Sequence, residues 1–248
     1  KNGEELWVSQ KVIIRRNEQG TIVAYSGIAR DITKFKDIEA ENKILQEKVE
    51  KYNETIKKLS TTNFRNYKNL DVSVMQIIES AAKVSKCNRV SYWKYTEDRI
   101  TCENLYDLDT NSYSKGAYLE KENYPIYFKS IKSKKQISAP DVLDKWELSE
   151  FTENYFLKYD IKSQLDIPIF INGELSGTII FETIRTQRNW DNDDIIFART
   201  ISDIISLTMI SHSRSETEKK LENKSKLLSA MALCTEKFLN SNDINDIF

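Results

Sequence analysis

Phe35, Ile38, Asn42, Leu45, Val49, Tyr52, Ile56 and Leu59 follow one another at intervals of 3, 4, 3, 4, 3, 4 and 3 residues. Residues spaced alternately by three and four line up as one narrow seam along an α-helix. An apolar seam kept for more than three heptads marks a coiled coil. The expected helix covers residues 34–62, and thirty residues of helix reach roughly 45 Å. Its remaining positions are mostly Lys, Glu, Asp and Asn, with seven Lys against six acids over residues 34–58, so its flanks are mixed in charge. Asn42 falls at an a position. A buried Asn there costs stability but fixes register and favours a dimer, because its amide must pair with its symmetry mate. In a parallel dimer Lys34 and the partner's Glu39 occupy g and e positions and attract. A single amphipathic helix lying on a neighbouring domain is the other reading; the narrowness of the seam favours the coiled coil.

Composition agrees with long helices, since only six Gly and three Pro punctuate 248 residues. With 37 basic and 38 acidic side chains the net charge is −1, which gives no electrostatic reason to expect nucleic acid or an anionic membrane as partner. No run approaches the roughly 18 apolar residues of a membrane span. Cys87, Cys102 and Cys234 are scattered, form no CxxC pair and share the chain with a single His. A disulfide framework or a metal site is therefore not expected, and reduced thiols suit a cytoplasmic protein.

Ahead of the seam, residues 6–14 and 21–29 read as two strands, with Leu6, Val8, Val12 and Ile14 in the first and Ile22, Val23, Tyr25 and Ile28 in the second. Asn17-Glu18-Gln19-Gly20 supplies the turn. Two strands alone do not make a stable domain, so a missing upstream part or a partner is expected to cover them. Behind the seam, residues 70–86 carry Leu70, Val74, Ile77, Ile78, Ala81 and Val84 on one helix face. Strands follow at Arg89–Tyr95 and Arg99–Tyr106, a helix over 124–133 opening at Tyr124-Pro125, a short strand Gln136–Ala139, and a helix Glu147–Tyr159. Leu165, Ile167, Ile169 and Ile171 alternate as in a strand, Asn172-Gly173 is a two-residue hairpin turn, and Glu174–Ile184 returns. Asp191, with Asp194 three residues on, looks like a capped start to a last helix over 191–238, strongly polar through residues 212–226. The class is α+β with a mostly antiparallel sheet.

Gly3, Trp7, the turn ending at Gly20, and Gly27 through Asp31-Ile32-Thr33 resemble the C-terminal part of a PAS domain. In that family the Asp-Ile-Thr motif closes the last strand and hands it to a signalling helix. The resemblance implies that Asp31 and Thr33 couple helix to sheet. Tyr124-Pro125-Ile126-Tyr127-Phe128, Ile137-Ser138-Ala139-Pro140-Asp141, Ile161 through Ile169, Gly173-Glu174-Leu175-Ser176-Gly177 and Arg188-Asn189-Trp190 leading into Phe197-Ala198 resemble, in order, the second half of a GAF domain of bacterial multidomain sensors. Leu227–Phe248 is similar to the opening helix of another such module, with Asn242–Phe248 echoing residues 71–74. The implied organisation is the end of a PAS domain (1–33), a coiled-coil signalling helix (34–65), an antiparallel-sheet GAF domain (66–212), and a linker helix with the start of a further sensory module (213–248). Upstream and downstream domains are expected on the same chain, cut from a longer tandem array.

The resemblance to GAF domains implies a pocket walled by Trp93, Tyr95, Tyr124, Tyr127, Asp141, Trp146, Tyr155, Asp166 and Glu182, with Ser163 as a further polar group. Aromatics with a few carboxylates can make such a site, although any one ring serves equally well as core. No particular cofactor is expected, and an unidentified small-molecule ligand stays open. The Asn-Lys-Phe-Asp-Glu set of cyclic-nucleotide-binding members is absent. Cys87 and Cys102 are followed by Asn88 and Glu103 and not by the His common in bilin-binding members. The sole His212 lies in the terminal helix, outside the pocket, where a haem could not use it. It also lacks the acidic residue and Pro that usually follow a phosphoacceptor His, and reads as part of a solvated helix face. The implied function is the sensory and transmitting region of a bacterial signalling protein without its catalytic domain, within a sensor histidine kinase of a two-component system. The alternatives are a ligand-binding domain of a diguanylate cyclase or a GAF-fold thiol reductase. This region is expected in the cytoplasm, whether or not the full-length protein is anchored to a membrane by another segment.

Overall fold

The computed structural model describes residues 5–64, 69–133 and 136–240, with side chains to residue 238. Gly3 and Asn242–Phe248, on which parts of the sequence reading rest, lie outside the described residues. The chain divides into two compact units, Lys1–Asn53 and Glu54–Phe248.

The first unit holds an antiparallel hairpin of β1 (Val8–Arg16) and β2 (Ile22–Asp31). Each strand runs one to two residues later than its expected bounds, and Asn17 closes the five-residue turn between them. Its backbone bonds both ways with Thr21 and Gly20, and its side-chain Oδ1 accepts from the Thr21 N–H. Gly20 completes the turn at φ +81, a left-handed value that suits glycine. Register places Val8, Val12 and Ile14 on the same face as Tyr25 and Ala29, and all of them are exposed in the single chain. Helix α1 (Thr33–Thr61) then begins one residue after β2 ends. Along its seam Phe35, Ile38, Asn42 and Leu45 are exposed, Val49 and Ile56 half-buried, and Tyr52 and Leu59 buried.

The second unit is one antiparallel sheet in the order β5-β4-β3-β9-β8-β7, with β6 also pairing β4. Its strands are β3 (Arg89–Tyr95), β4 (Arg99–Asp107), β5 (Ser112–Ser114), β6 (Tyr118–Glu120), β7 (Ile137–Ala139), β8 (Ile161–Ile171) and β9 (Glu174–Ile184). β5 and β6 carry no strong pattern at three residues each and escape the sequence reading. β8 starts four residues earlier than its alternating apolar run, because both of its faces are buried. Leu165, Ile167 and Ile169 point one way, and Gln164 and Asp166, also buried, point the other. Asn172 and Gly173 both adopt positive φ, as the two-residue turn requires.

Helices α2 (Leu70–Ser85) and α5 (Asn192–Asn240) cover one face of the sheet. Asn69 caps α2 by accepting from the Asp71 N–H, and Lys86 ends it in the left-handed conformation. α5 opens with the expected box, in which Asp191 accepts from the Asp194 N–H. Phe197, Ala198, Ile201 and Ile205 of α5 are buried. This packing explains why α5, contrary to the sequence reading, is the one helix among the described residues long and apolar enough to pass for a membrane span. The end of α1 joins the same layer, where Leu59 and Phe64 share a cleft with Ile204 and Leu207.

The other face is covered by α3 (Pro125–Ser133) and by residues 146–159, with Glu147–Tyr159 expected as one helix. Instead Trp146–Phe151 is 3₁₀, Thr152–Phe156 is π, and α4 (Leu157–Tyr159) is a last α turn. The spacing of core side chains accounts for the change. Leu148 and Phe151, three apart, eclipse in a 3₁₀ turn, and the wider π turn that follows brings Phe156 closer to the side of Phe151 than an α turn would. All three enter the same buried cluster.

Candidate functional site

Residues directly opposite in an antiparallel ladder share a face. The register pairs Arg89 with Glu182, Ser91 with Ile180 and Trp93 with Thr178 across β3 and β9, and Gln164 with Glu182 and Asp166 with Ile180 across β8 and β9. Trp93, Gln164, Asp166, Ile180 and Glu182 therefore line up beneath α3 and residues 146–159. The covering layer is aromatic. Tyr124 stacks on Phe151 at 4.9 Å, and Tyr127 meets Phe151 edge-on at 5.0 Å. Glu150 fixes α3 by accepting from the N–H groups of Ile126 and Tyr127, donors that Pro125 leaves at the helix start.

Between these layers lies a cavity of about 120 Å³. Of the residues expected at a pocket, Trp93, Tyr124, Tyr127, Tyr155 and Glu182 line it. Asp166 sits just behind, fully buried, and Tyr95 packs into the surrounding cluster with its ring 5.9 Å from Phe128. Three expected residues are elsewhere. Asp141 caps a turn by accepting from the Leu143 N–H, and it also accepts from the Gln187 amide. Ser163 donates to the Pro140 carbonyl and accepts from the Arg188 N–H, so it ties strands together. Trp146 is 63% exposed, because the 3₁₀ turn aims Leu148 inward in its place. Leu119, Phe151, Asn154, Gln164 and Ile180 line the cavity and were missed. Gln164 and Ile180 could have been found from the parity of β8 and β9. Asn154 depends on the π turn and carries no signal in the sequence.

The polar floor is saturated with short bonds. Asp166 accepts from the Tyr127 hydroxyl and from the Gln164 amide, each at 2.8 Å. Glu182 accepts from the Tyr155 hydroxyl at 3.0 Å. Burial pushes both carboxyls up to about 7, against the opposing pull of these hydrogen bonds and, for Glu182, of Arg89. The two phenols, buried beside carboxylates, are raised well above their ordinary value and stay donors at neutral pH. Arg89 is held by Asp107 at 2.9 Å.

The two thiols within the sheet domain are buried. Burial pushes Cys87 up to about 11, although Arg188 lies beside it, and Cys102 up to about 12. Reductase chemistry needs a thiolate, and neither cysteine supplies one near neutral pH. His212 is half-buried and not simply solvated, with Nε2 3.3 Å from the Ser73 hydroxyl of α2. Arg188-Asn189-Trp190 is a structural junction. Arg188 donates to the Ser85 carbonyl at the end of α2 and to Asp194 at the start of α5, and its guanidinium lies over the Trp190 ring. Trp190 in turn donates to the Ala139 carbonyl of β7.

In the first unit, Asp31 accepts from the Thr33 N–H, and the Thr33 hydroxyl accepts from the Trp7 N–H, each at 2.9 Å. The Ile32 N–H also reaches the Trp7 carbonyl. The start of α1 is thus laced to the entry of the hairpin, and the Asp31 carboxyl is lowered by its bonds to Thr33.

A family model for the GAF domain matches residues 69–209. No curated protein matches the chain. Among solved structures, the phycocyanobilin-bound GAF domain of a cyanobacterial phytochrome is 15% identical with a TM-score of 0.56, over 66% of this chain and 96% of that one. The free methionine-R-sulfoxide reductase of Neisseria meningitidis, bound to its substrate, is 8% identical with a TM-score of 0.54, over 66% and 91%. The GAF domain of a phosphoenolpyruvate-protein phosphotransferase from Coxiella burnetii is 13% identical with a TM-score of 0.53, over 68% and 98%. At such identities these likenesses speak for the fold.

Proposed function

Because this chain belongs to the GAF domain family, we propose that it is the sensory and transmitting region of a signalling protein, which reads a small molecule on one face of its sheet and reports through the helices on the other. One observation carries this reading. Neighbouring residues on single strands serve both sides: Trp93 and Glu182 line the cavity, while Tyr92 reaches the Met209 sulfur of α5 and Phe181 packs on Phe197 of α5. A strand that shifts to fit a ligand therefore moves α5 as well, and a packed interface of this kind switches between discrete arrangements. Hydrogen exchange along α5 tests it, in the parent chain and in Ile180→Phe, which fills the cavity from the sheet. Altered protection over residues 197–209 is expected; identical protection would sink the coupling.

The wider setting belongs to the same proposal. The hairpin is the end of a PAS domain whose Asp-Ile-Thr bonds pass motion into α1, and α1 pairs with a second copy through its exposed seam. The output is a histidine kinase of a two-component system working in the cytoplasm; a diguanylate cyclase would use the same input. The suppressed thiols weigh against a reductase.

A further inference from the structure

We propose that the cavity binds a small organic cation, an amine or quaternary ammonium head held by the Glu182 carboxylate and walled by Trp93, Tyr124 and Phe151. This rests on the reading of the domain as a sensor and names the ligand class. Size limits the choice first. At about 120 Å³ the cavity is smaller than the range of about 300–1,000 Å³ typical of drug-sized ligands, and compares with the ~150 Å³ engineered cavity that holds benzene. A nucleotide or tetrapyrrole does not fit it; a head group with a few methyls does.

Charge decides next. Facing Glu182 are Arg89 from β3, Asp107 and Cys102 from β4, Tyr127 from α3, Tyr155 from the 146–159 layer and Asp166 from β8. Three carboxyls stand against one guanidinium, and that guanidinium is already paired with Asp107. Once Glu182 is ionised, an anion entering here meets net negative charge, whereas a cation completes the balance. Glu182 itself lines the cavity, with Oε2 accepting from the Tyr155 hydroxyl at 3.0 Å. The lining is consistent with the same class, since Trp93, Tyr124, Tyr127 and Phe151 stand around the cavity and an aromatic face turned to a cation attracts it. A methylated ammonium loses little hydration on entry, so the rings can replace its water.

Isothermal titration of the full chain with choline and with its uncharged carbon isostere, 3,3-dimethylbutan-1-ol, tests the proposal. Choline should bind about tenfold or more tightly than the isostere. Glu182→Gln keeps an acceptor for Tyr155, and it should abolish that preference while its melting profile stays cooperative. Choline affinity should also rise between pH 6 and 8, because a cation needs the ionised Glu182, whose carboxyl burial holds at about 7. Equal binding of the two probes, a preference that survives Glu182→Gln, or no binding of choline at millimolar concentration would overturn the cation class. The coupling of cavity to α5 is read separately by Ile180→Phe and stands or falls on that measurement.

Discussion

At the scale of single residues, Asp166 and Glu182 bias stability against high pH. Both carboxyls rise on folding from ordinary carboxylate values to about 7, with burial as the main cause. The native state then binds more protons than the unfolded chain between those limits. Their contribution is complete below the ordinary carboxyl range and is lost as pH climbs through about 7. Thermal melts of the chain should therefore fall in midpoint between pH 5 and 7.5, and Asp166→Asn should flatten that slope; a slope unchanged by Asp166→Asn would remove Asp166 as its source. Gly177 makes a separate demand. A Cβ there would stand 2.5 Å from the Trp93 carbonyl oxygen and 2.8 Å from the Tyr92 ring. A backbone oxygen cannot step aside without opening the β3–β9 ladder. Gly177→Ala should destabilise by roughly 1–3 kcal/mol in denaturant unfolding. A wild-type midpoint would show that the ladder yields.

At the scale of elements, α3 depends on a cap supplied from elsewhere in the chain. Glu150, 23 residues from Tyr127, accepts from the first free N–H groups of α3. Glu150→Ala should cost about 1 kcal/mol and lower the melting midpoint by roughly 2–4 °C, and it should loosen the aromatic roof that α3 carries. An unchanged midpoint would mean that solvent replaces the cap. This contact also shows where the sequence is mute. Elements with a strong period or a strong turn, such as α2, β3, β9 and the Asn172-Gly173 hairpin, can be read almost to the residue. The 146–159 layer cannot, because its two changes of helical geometry answer to the shape of a core built from distant strands. The candidate site divides the same way. Trp93, Tyr124, Tyr127, Tyr155 and Glu182 were legible as family positions, and all line the cavity. Asp141, Ser163 and Trp146 share the local signs of polarity or aromaticity, yet turn capping, strand bridging and a 3₁₀ turn claim them. Asn154 reaches the cavity only through the π turn.

At the scale of the whole molecule, a single chain leaves a seam unsatisfied. Phe35, Ile38 and Leu45 are 64%, 47% and 43% exposed, one after another on one side of α1. Further along, Tyr52 and Leu59 are already buried within the same chain. The open part of the heptad is therefore its first half, which lies in the first unit and begins beside the Asp31–Thr33 bonds. Covering a Leu- or Phe-sized side chain yields about 1.5–3 kcal/mol. These side chains are about half exposed, so three from each copy yield roughly 4–9 kcal/mol, at the lower end of the about 4–15 kcal/mol range of association costs. The dimer proposed above should then be reversible, not permanent. Sedimentation should show a monomer–dimer equilibrium that moves with concentration. Leu45→Asp places a charge in the seam and should leave a monomer. Its second unit should melt as before, since residue 45 lies outside that unit. Asn42→Leu acts in the opposite sense: it removes an amide, exposed in the single chain, that paired helices would bury, and it should raise the melting midpoint and let the helices choose more than one register or number of strands. A concentration-independent monomer in the parent chain would end the coiled-coil reading. A dimer untouched by Leu45→Asp would move the interface to another surface.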